Sequence, residues 1–137
     1  MAYQEYWELY KERQDGHPVN IRLNQGIEEY VCHPRYMYQM SIAVPLNNMD
    51  ELGFPYEEES RLLDELESLL RDRLETQKVS VFAAAVTIDG FRMYIIYTYI
   101  PDYCKKVVDE INRVWIYHAI SHSQQEDRNW DTIAAML

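Results

Sequence analysis

Few residues in the chain have the type and spacing that chemistry needs. His118 and His122 stand four positions apart near the C-terminus. On a strand, the expected state of Trp115–Ser121, they point to the same side but lie about 13 Å apart, too far to share one metal ion without a bend. They read as two strand-end histidines. Cys32-His33, beside Pro34, could supply two metal ligands. Zinc needs a second pair at matching spacing, and none follows. Asp50-Glu51 and Glu57-Glu58-Glu59 could supply carboxylates for acid–base work or for a divalent cation. At a helix start such a run more simply matches the positive end of the helix dipole. There is no nucleophile elbow, no glycine phosphate loop and no His-Glu-x-x-His. With 4 Gly in the whole chain, a glycine-cradled phosphate site is not expected. The sequence therefore nominates no catalytic residue, no metal site and no cofactor.

Composition narrows the function classes further. The 137 residues are 47% hydrophobic and 26% charged, which suits one globular domain with a full core. A net charge of −10 repels nucleic-acid phosphate and anionic lipid, so neither is an expected partner. A basic protein partner or self-association fits better. The 12 tyrosines suit half-exposed sheet faces and interfaces, because each joins an apolar ring to a polar tip. Cys32 and Cys104 are far apart, as in a reducing compartment. The N-terminus lacks a signal-peptide pattern, and no apolar run approaches the roughly 20 residues of a membrane helix. The expected location is cytoplasmic.

The elements that must position any site are organised around Val79–Ile100. Asp89-Gly90 between two apolar runs predicts a hairpin with a two-residue type I′ turn. That turn pairs Ile88 with Phe91, Val86 with Met93, Ala84 with Ile95 and Phe82 with Tyr97 on one bulky face. The other face pairs Thr87 with Arg92, Ala85 with Tyr94, Ala83 with Ile96 and Val81 with Thr98. Upstream, residues 5–13 and Val19–Leu23 flank a turn cluster and predict an N-terminal hairpin. Tyr36–Val44 alternates as a strand. Leu62, Leu63, Leu66, Leu69, Leu70 and Leu74 form the stripe of a helix over about Tyr56–Glu75. Residues 57–76 hold 8 acidic and 3 basic side chains, a net charge of −5. A second helix runs from Pro101 to about Val114 with Cys104, Val107, Val108 and Ile111 inward. Asp127 can cap a short terminal helix with the stripe Trp130, Ile133, Ala134 and Leu137.

From Tyr36 onward the order strand, helix, strand, strand, helix, strand is that of an α+β, ferredoxin-like split βαβ sandwich. It predicts an antiparallel sheet with two helices on one face, covering the bulky side of the central hairpin. The single domain 1–137 then divides into an N-terminal β-hairpin extension (1–35), a core (36–123) and a C-terminal helix (124–137). The face of Tyr94, Arg92 and Thr98 is expected to lie open to a partner or a pocket. Tyr38 and Tyr94 could stack bases on such a face, but Arg92 alone cannot neutralise phosphate there. The expected binding residues are Tyr94, Arg92 and Thr98 on the sheet and Glu58, Glu65 and Glu67 on the acidic helix. Two functions follow: a protein-interaction or regulatory module, of the nuclease-regulator or immunity-inhibitor kind, and a small-ligand or enzymatic domain with a pocket on the non-helical sheet face.

Four stretches together resemble a known family. They are Trp7-x-x-Tyr10 with Asp15-Gly16-x-Pro18, Gly53-x-Pro55, Val86-Thr87-x-Asp89-Gly90-x-Arg92, and Glu126-Asp127-x-x-Trp130. In order and spacing they look like the bacterial domain of unknown function 695, over nearly the whole chain. Members sometimes occur with a domain resembling RraB, a protein inhibitor of ribonuclease E. The resemblance implies an acidic regulatory module and brings no catalytic residues with it.

Overall fold

The structure, a computed structural model, describes residues 7–75 and 79–134. Glu5 and Tyr6 of the first expected strand and Leu137 of the expected terminal stripe lie outside them. The elements run β1 (Trp7–Gln14), β2 (His17–Asn24), a 3-10 turn (Gln25–Tyr30), β3 (Tyr38–Pro45), α1 (Glu57–Leu74), β4 (Ser80–Ile88), β5 (Phe91–Thr98), α2 (Pro101–Val114), β6 (Ser121–Glu126) and α3 (Asp131–Ala134). The protein is α+β. Among the described residues its strands form one six-stranded antiparallel sheet in the order β1-β2-β4-β5-β3-β6.

Two Asp-Gly dipeptides set the strand plan. Asp15-Gly16 joins β1 to β2, and Asp89-Gly90 joins β4 to β5, with all four residues at positive φ. Mirror-image turns of this kind match the right-handed twist of the strands they join. Because β2 pairs with β4, both turns lie at one end of the sheet. The loop after β3 closes over the second turn. The Leu46 N–H donates to the Gly90 carbonyl (2.8 Å) and the Gly90 N–H to the Gly53 carbonyl (3.2 Å). A Cβ on Gly53 would stand 2.7 Å from the Gly90 nitrogen, so the backbones approach closely only because that residue is glycine.

The central hairpin departs from the expected register at one point. Ile88–Phe91, Val86–Met93 and Ala84–Ile95 pair as expected, but Ala83 is an extra residue in β4, and beyond it Phe82 faces Ile96 and Val81 faces Tyr97. Phe82 therefore crosses to the face of Ala85, Tyr94 and Ile96. That face, with Met40, Ile42 and Val44, is the one α1 and α2 cover, through Leu63, Leu66, Leu70, Val107 and Val108. This corrects the expectation that the helices cover the bulkier face. The helices bring bulk of their own, and the sheet beneath them needs less.

The opposite face is partly filled by segments that lack long periodic stripes. Ile27 of the 3-10 turn, Tyr36, Trp130 and Ile133 pack over Leu23, Val81, Ala84 and Tyr97. The Trp130 indole stacks on the Tyr97 ring at 3.7 Å and donates Nε1–H to the Tyr36 carbonyl (2.7 Å). Beneath it the Tyr97 hydroxyl donates to Asp127 Oδ2 (2.9 Å), and Asp127 Oδ1 accepts the Asp131 N–H (3.1 Å) as the cap of α3. The expected last strand at Trp115–Ser121 is a correction. Residues 115–120 are irregular, and β6 begins at Ser121. As an exposed edge strand, β6 has no apolar face and leaves no periodic signal.

Two outcomes follow from this packing. Trp130→Ala removes a fully buried indole and its hydrogen bond, and should lower unfolding free energy by about 3–5 kcal/mol in urea titrations. Burial pushes the Tyr94 phenol up to about 12, and burial likewise raises that of Tyr97. Both native phenols hold their protons where unfolded tyrosine, at about 10, loses them. Their stabilisation is full below that pH and fades as pH climbs through the native values. Denaturation midpoints should therefore fall above about pH 10, and less steeply in Tyr94→Phe.

Candidate functional site

Glu59, in the first turn of α1, is a buried carboxylate. Tyr56 stands at the N-cap without a side-chain hydrogen bond, and Glu57, Glu58 and Glu59 follow at the positive end of the helix dipole. Glu57 and Glu58 face solvent, whereas Glu59 turns inward and is buried. Its Oε2 accepts the backbone N–H groups of Asn47 (2.6 Å) and Asn48 (3.3 Å). It also lies 3.1 Å from Nε2 of His118, whose side chain is fully buried. The Trp115 indole Nε1–H donates to His118 Nδ1 (3.1 Å). An indole can only donate, so the neutral imidazole carries its proton on Nε2, toward the carboxylate. The two atoms are close but not aligned as a hydrogen bond, and Nε2 has no well-directed acceptor among the described residues. The pair lies inside the fold, almost wholly out of contact with water. Its work is positioning.

What it positions is the connection after α2. The Asn47 Nδ2–H donates to the Tyr117 carbonyl (2.6 Å), and the Ile120 N–H to Asn112 Oδ1 (3.0 Å). The Trp115 and Tyr117 rings meet edge to face at 5.1 Å. The last residue of α2 and the connection fixed in this way present apolar side chains to water: Val114 is 71% exposed, Ile116 83% and Tyr117 48%. Tyr56, also exposed, precedes α1 at the same end. Beside this projection Arg61 bonds both Glu58 and Glu65, the latter at 2.9 Å. Those two carboxylates, Glu58 first, hold its guanidinium above the usual arginine value. The arrangement is an apolar projection flanked by the acidic first half of α1.

The residues expected to bind do not share one surface. Glu58 and Glu65 lie on the exposed side of α1 beside the projection. Glu67 is buried, paired with Arg22 and 3.8 Å from Arg71, so it belongs to the interior and not to the outer acidic face. Tyr94 and Thr98 are core residues. The Tyr94 hydroxyl donates to the Leu63 carbonyl (3.0 Å) under α1, and Thr98 donates to the Val79 carbonyl (2.7 Å). Arg92 is half-buried, its Nε donating to Thr87 Oγ1 (2.7 Å). The face expected to lie open at these three residues is the one covered by helices.

The candidate ligand groups are likewise spent on local structure. Asp50 Oδ1 accepts the N–H groups of Leu52 (2.9 Å) and Phe54 (3.0 Å), closing its own loop. His33 Nδ1 accepts the Arg35 N–H (3.0 Å), and Cys32 Sγ donates to the Asn129 carbonyl (3.1 Å). His122 meets Asp109 at 3.0 Å, away from His118. Among the described residues no group of three His, Cys, Asp or Glu is placed to hold a metal ion. No described helix is long and apolar enough to cross a membrane. Trp115, Ile116 and Tyr117 are expected from the sequence only as strand residues, and neither they nor Asn47 are expected at a site. Their one signal is four apolar residues in a row, Val114-Trp115-Ile116-Tyr117, directly after a helix end.

Glu59→Ala would leave the Asn47 and Asn48 backbone N–H groups without their acceptor and remove the carboxylate beside His118. It should cost about 3 kcal/mol of stability. Limited proteolysis should then cut first within residues 115–120, while Glu58→Ala leaves both measurements near wild type.

No curated protein and no solved structure matches the chain. A family model does, over residues 5–137, and it takes in all four of the stretches on which the resemblance rests. The chain belongs to the family of unknown function DUF695.

Proposed function

We propose that the chain is a non-enzymatic protein-interaction module that docks on a basic partner through the Val114–Tyr117 projection and the acidic first half of α1. The observation that carries this reading is the exposure of Val114, Ile116 and Tyr117 on backbone that a buried carboxylate and imidazole hold in place. Ordering a connection only to expose its apolar side chains costs free energy unless a partner covers them. Glu57, Glu58, Asp64 and Glu65 are exposed on the adjoining helix, and a chain of net charge −10 attracts a basic surface from a distance. A cytoplasmic regulator or immunity-type inhibitor of a nuclease is the kind of protein this describes. The two free cysteines agree with a reducing compartment. The reading takes the core to be the ferredoxin-like split βαβ arrangement. The neighbours β4, β5, β3 and β6, each antiparallel to the next, support it, as do α1 and α2 packed over one face.

Affinity capture from native lysate tests the reading when three baits are compared at low and high salt. Wild type should retain a basic protein at low salt and lose it at high salt. Ile116→Ser with Tyr117→Ser, and Glu58→Lys with Glu65→Lys, should each weaken retention about tenfold, on the order of 1.4 kcal/mol. A partner held equally by all three baits sinks the proposal. Concentration-dependent dimerisation abolished by Ile116→Ser would replace the basic partner with a second copy of the chain.

A further inference from the structure

The sheet face away from α1 and α2 is only half filled. Trp130 and Ile133 cover the end near Tyr97, while the end near the two Asp-Gly turns is open. Strand pairing lays apolar side chains across it in rows: Val19, Ile88 and Phe91 in one, Ile21, Val86 and Met93 in the next. Together with Thr132 of α3 they border a groove of about 550 Å³. Phe91 is 46% exposed at its edge, and Val86, Ile88 and Met93 are half-buried. An antiparallel face meeting only water would carry polar side chains here.

Two carboxylates stand at the mouth of the groove. Asp15 and Asp89, the first residues of the two turns, both border it, as does His17, 3.7 Å from Asp89, while the Arg13 guanidinium is spent on the Gly16 carbonyl. Glu12 pairs with Val19 on the same face, one strand outward. The turns do not require these charges. Asparagine serves a type I′ turn as well as aspartate does, and tolerates φ of 52° at position 15 and 48° at position 89 equally.

Size selects the occupant. The two rows lie two residues apart, roughly 7 Å, and span three strands, roughly 10 Å. That floor takes a ring system or a short chain and is too small for several turns of a helix. The volume lies in the range of small-molecule pockets. We infer that this groove binds a small amphipathic cation, an aromatic or aliphatic body on the apolar rows with its ammonium group at Asp15 and Asp89. The inference is independent of the docking surface at Val114–Tyr117, which lies on other elements.

Tryptamine, indole and indolepropionate are suitable probes, since they share one ring and differ in charge. Methyl NMR of the intact chain should show tryptamine shifting Val86, Ile88 and Met93, with affinity about tenfold above that of indole and indolepropionate weakest. Asp15→Asn with Asp89→Asn, which keeps both turns, should bring tryptamine down to the affinity of indole and leave indole unchanged. An advantage for tryptamine that survives this double substitution overturns the assignment. So do shifts confined to other surfaces, or no shift with any of the three probes.

Discussion

Which residues become core, and under what, depends on the extra residue at Ala83. Had β4 continued without it, Phe82 would oppose Tyr97 and send a second large ring toward Trp130. With it, Phe82 lies under the helices, 6.3 Å from the Tyr94 ring, and Val81 takes the place opposite Tyr97. The other face then accepts a flat stack of Trp130 on Tyr97. Alanine suits the unpaired position, because both packed faces around it are already filled and a larger side chain would have to displace one of them. From that point the sheet has one face for α1 and α2 and another for short segments, and the second is long enough to remain partly open.

Charge is handled in a similarly uneven way. Two carboxylates of α1 are buried, and each comes with its compensation. Glu67 meets the guanidiniums of Arg22 and Arg71, which also flank the Trp7 ring at 5.0 and 5.4 Å. Glu59 meets two backbone N–H groups and an imidazole. Taking a carboxylate out of water costs several kcal/mol, so such pairs add little net stability even when well partnered. What they do add is position. Glu67 ties the N-terminal hairpin to α1, and Glu59 ties the same helix to the segments at 47–48 and 115–118. The acidic groups left on the exposed side of the first half of α1 then surround a surface whose geometry these buried ones maintain.

Much of the framework was legible because its signals are local. The Asp-Gly turn at 89–90, the leucine stripe of α1 and the Cys104–Ile111 stripe of α2 each need only a few residues of context, and each element forms within a residue or two of where it was expected. The bulge was not legible, since Ala83, Ala84 and Ala85 are alike and nothing local marks one of them as unpaired. Without it the two faces of the hairpin cannot be told apart by bulk. Tyr94 and Thr98 were therefore expected at a surface that is in fact core. Glu58 and Glu67 differ only in which side of α1 they occupy, and Arg22, the partner that draws Glu67 inward, is distant in sequence. The place of His118 was hidden for a related reason: Glu59, the carboxylate it lies against, is distant in sequence. The motif residues Trp7, Gly53, Asp127 and Trp130 turn out to be structural ties, which is why they resemble a family without indicating a chemistry.

The two surfaces of interest, one at the start of α1 and one at the hairpin turns, are joined by the loop after β3. Its N-terminal part is held by Glu59 through Asn47 and Asn48, and its far part lies on Gly90 through the Gly53 carbonyl. Asp50 closes the bend between them. Gly90 is the residue next to Asp89 at the mouth of the groove, and Asn47 also holds the Tyr117 carbonyl. A side chain at position 53 would therefore press on the turn at 89–90, since its Cβ would stand 2.7 Å from the Gly90 nitrogen. Side-chain acceptors and donors thus hold Ile116 and Tyr117 in place, whereas a close backbone approach that tolerates no side chain at Gly53 holds the turn that carries Asp89.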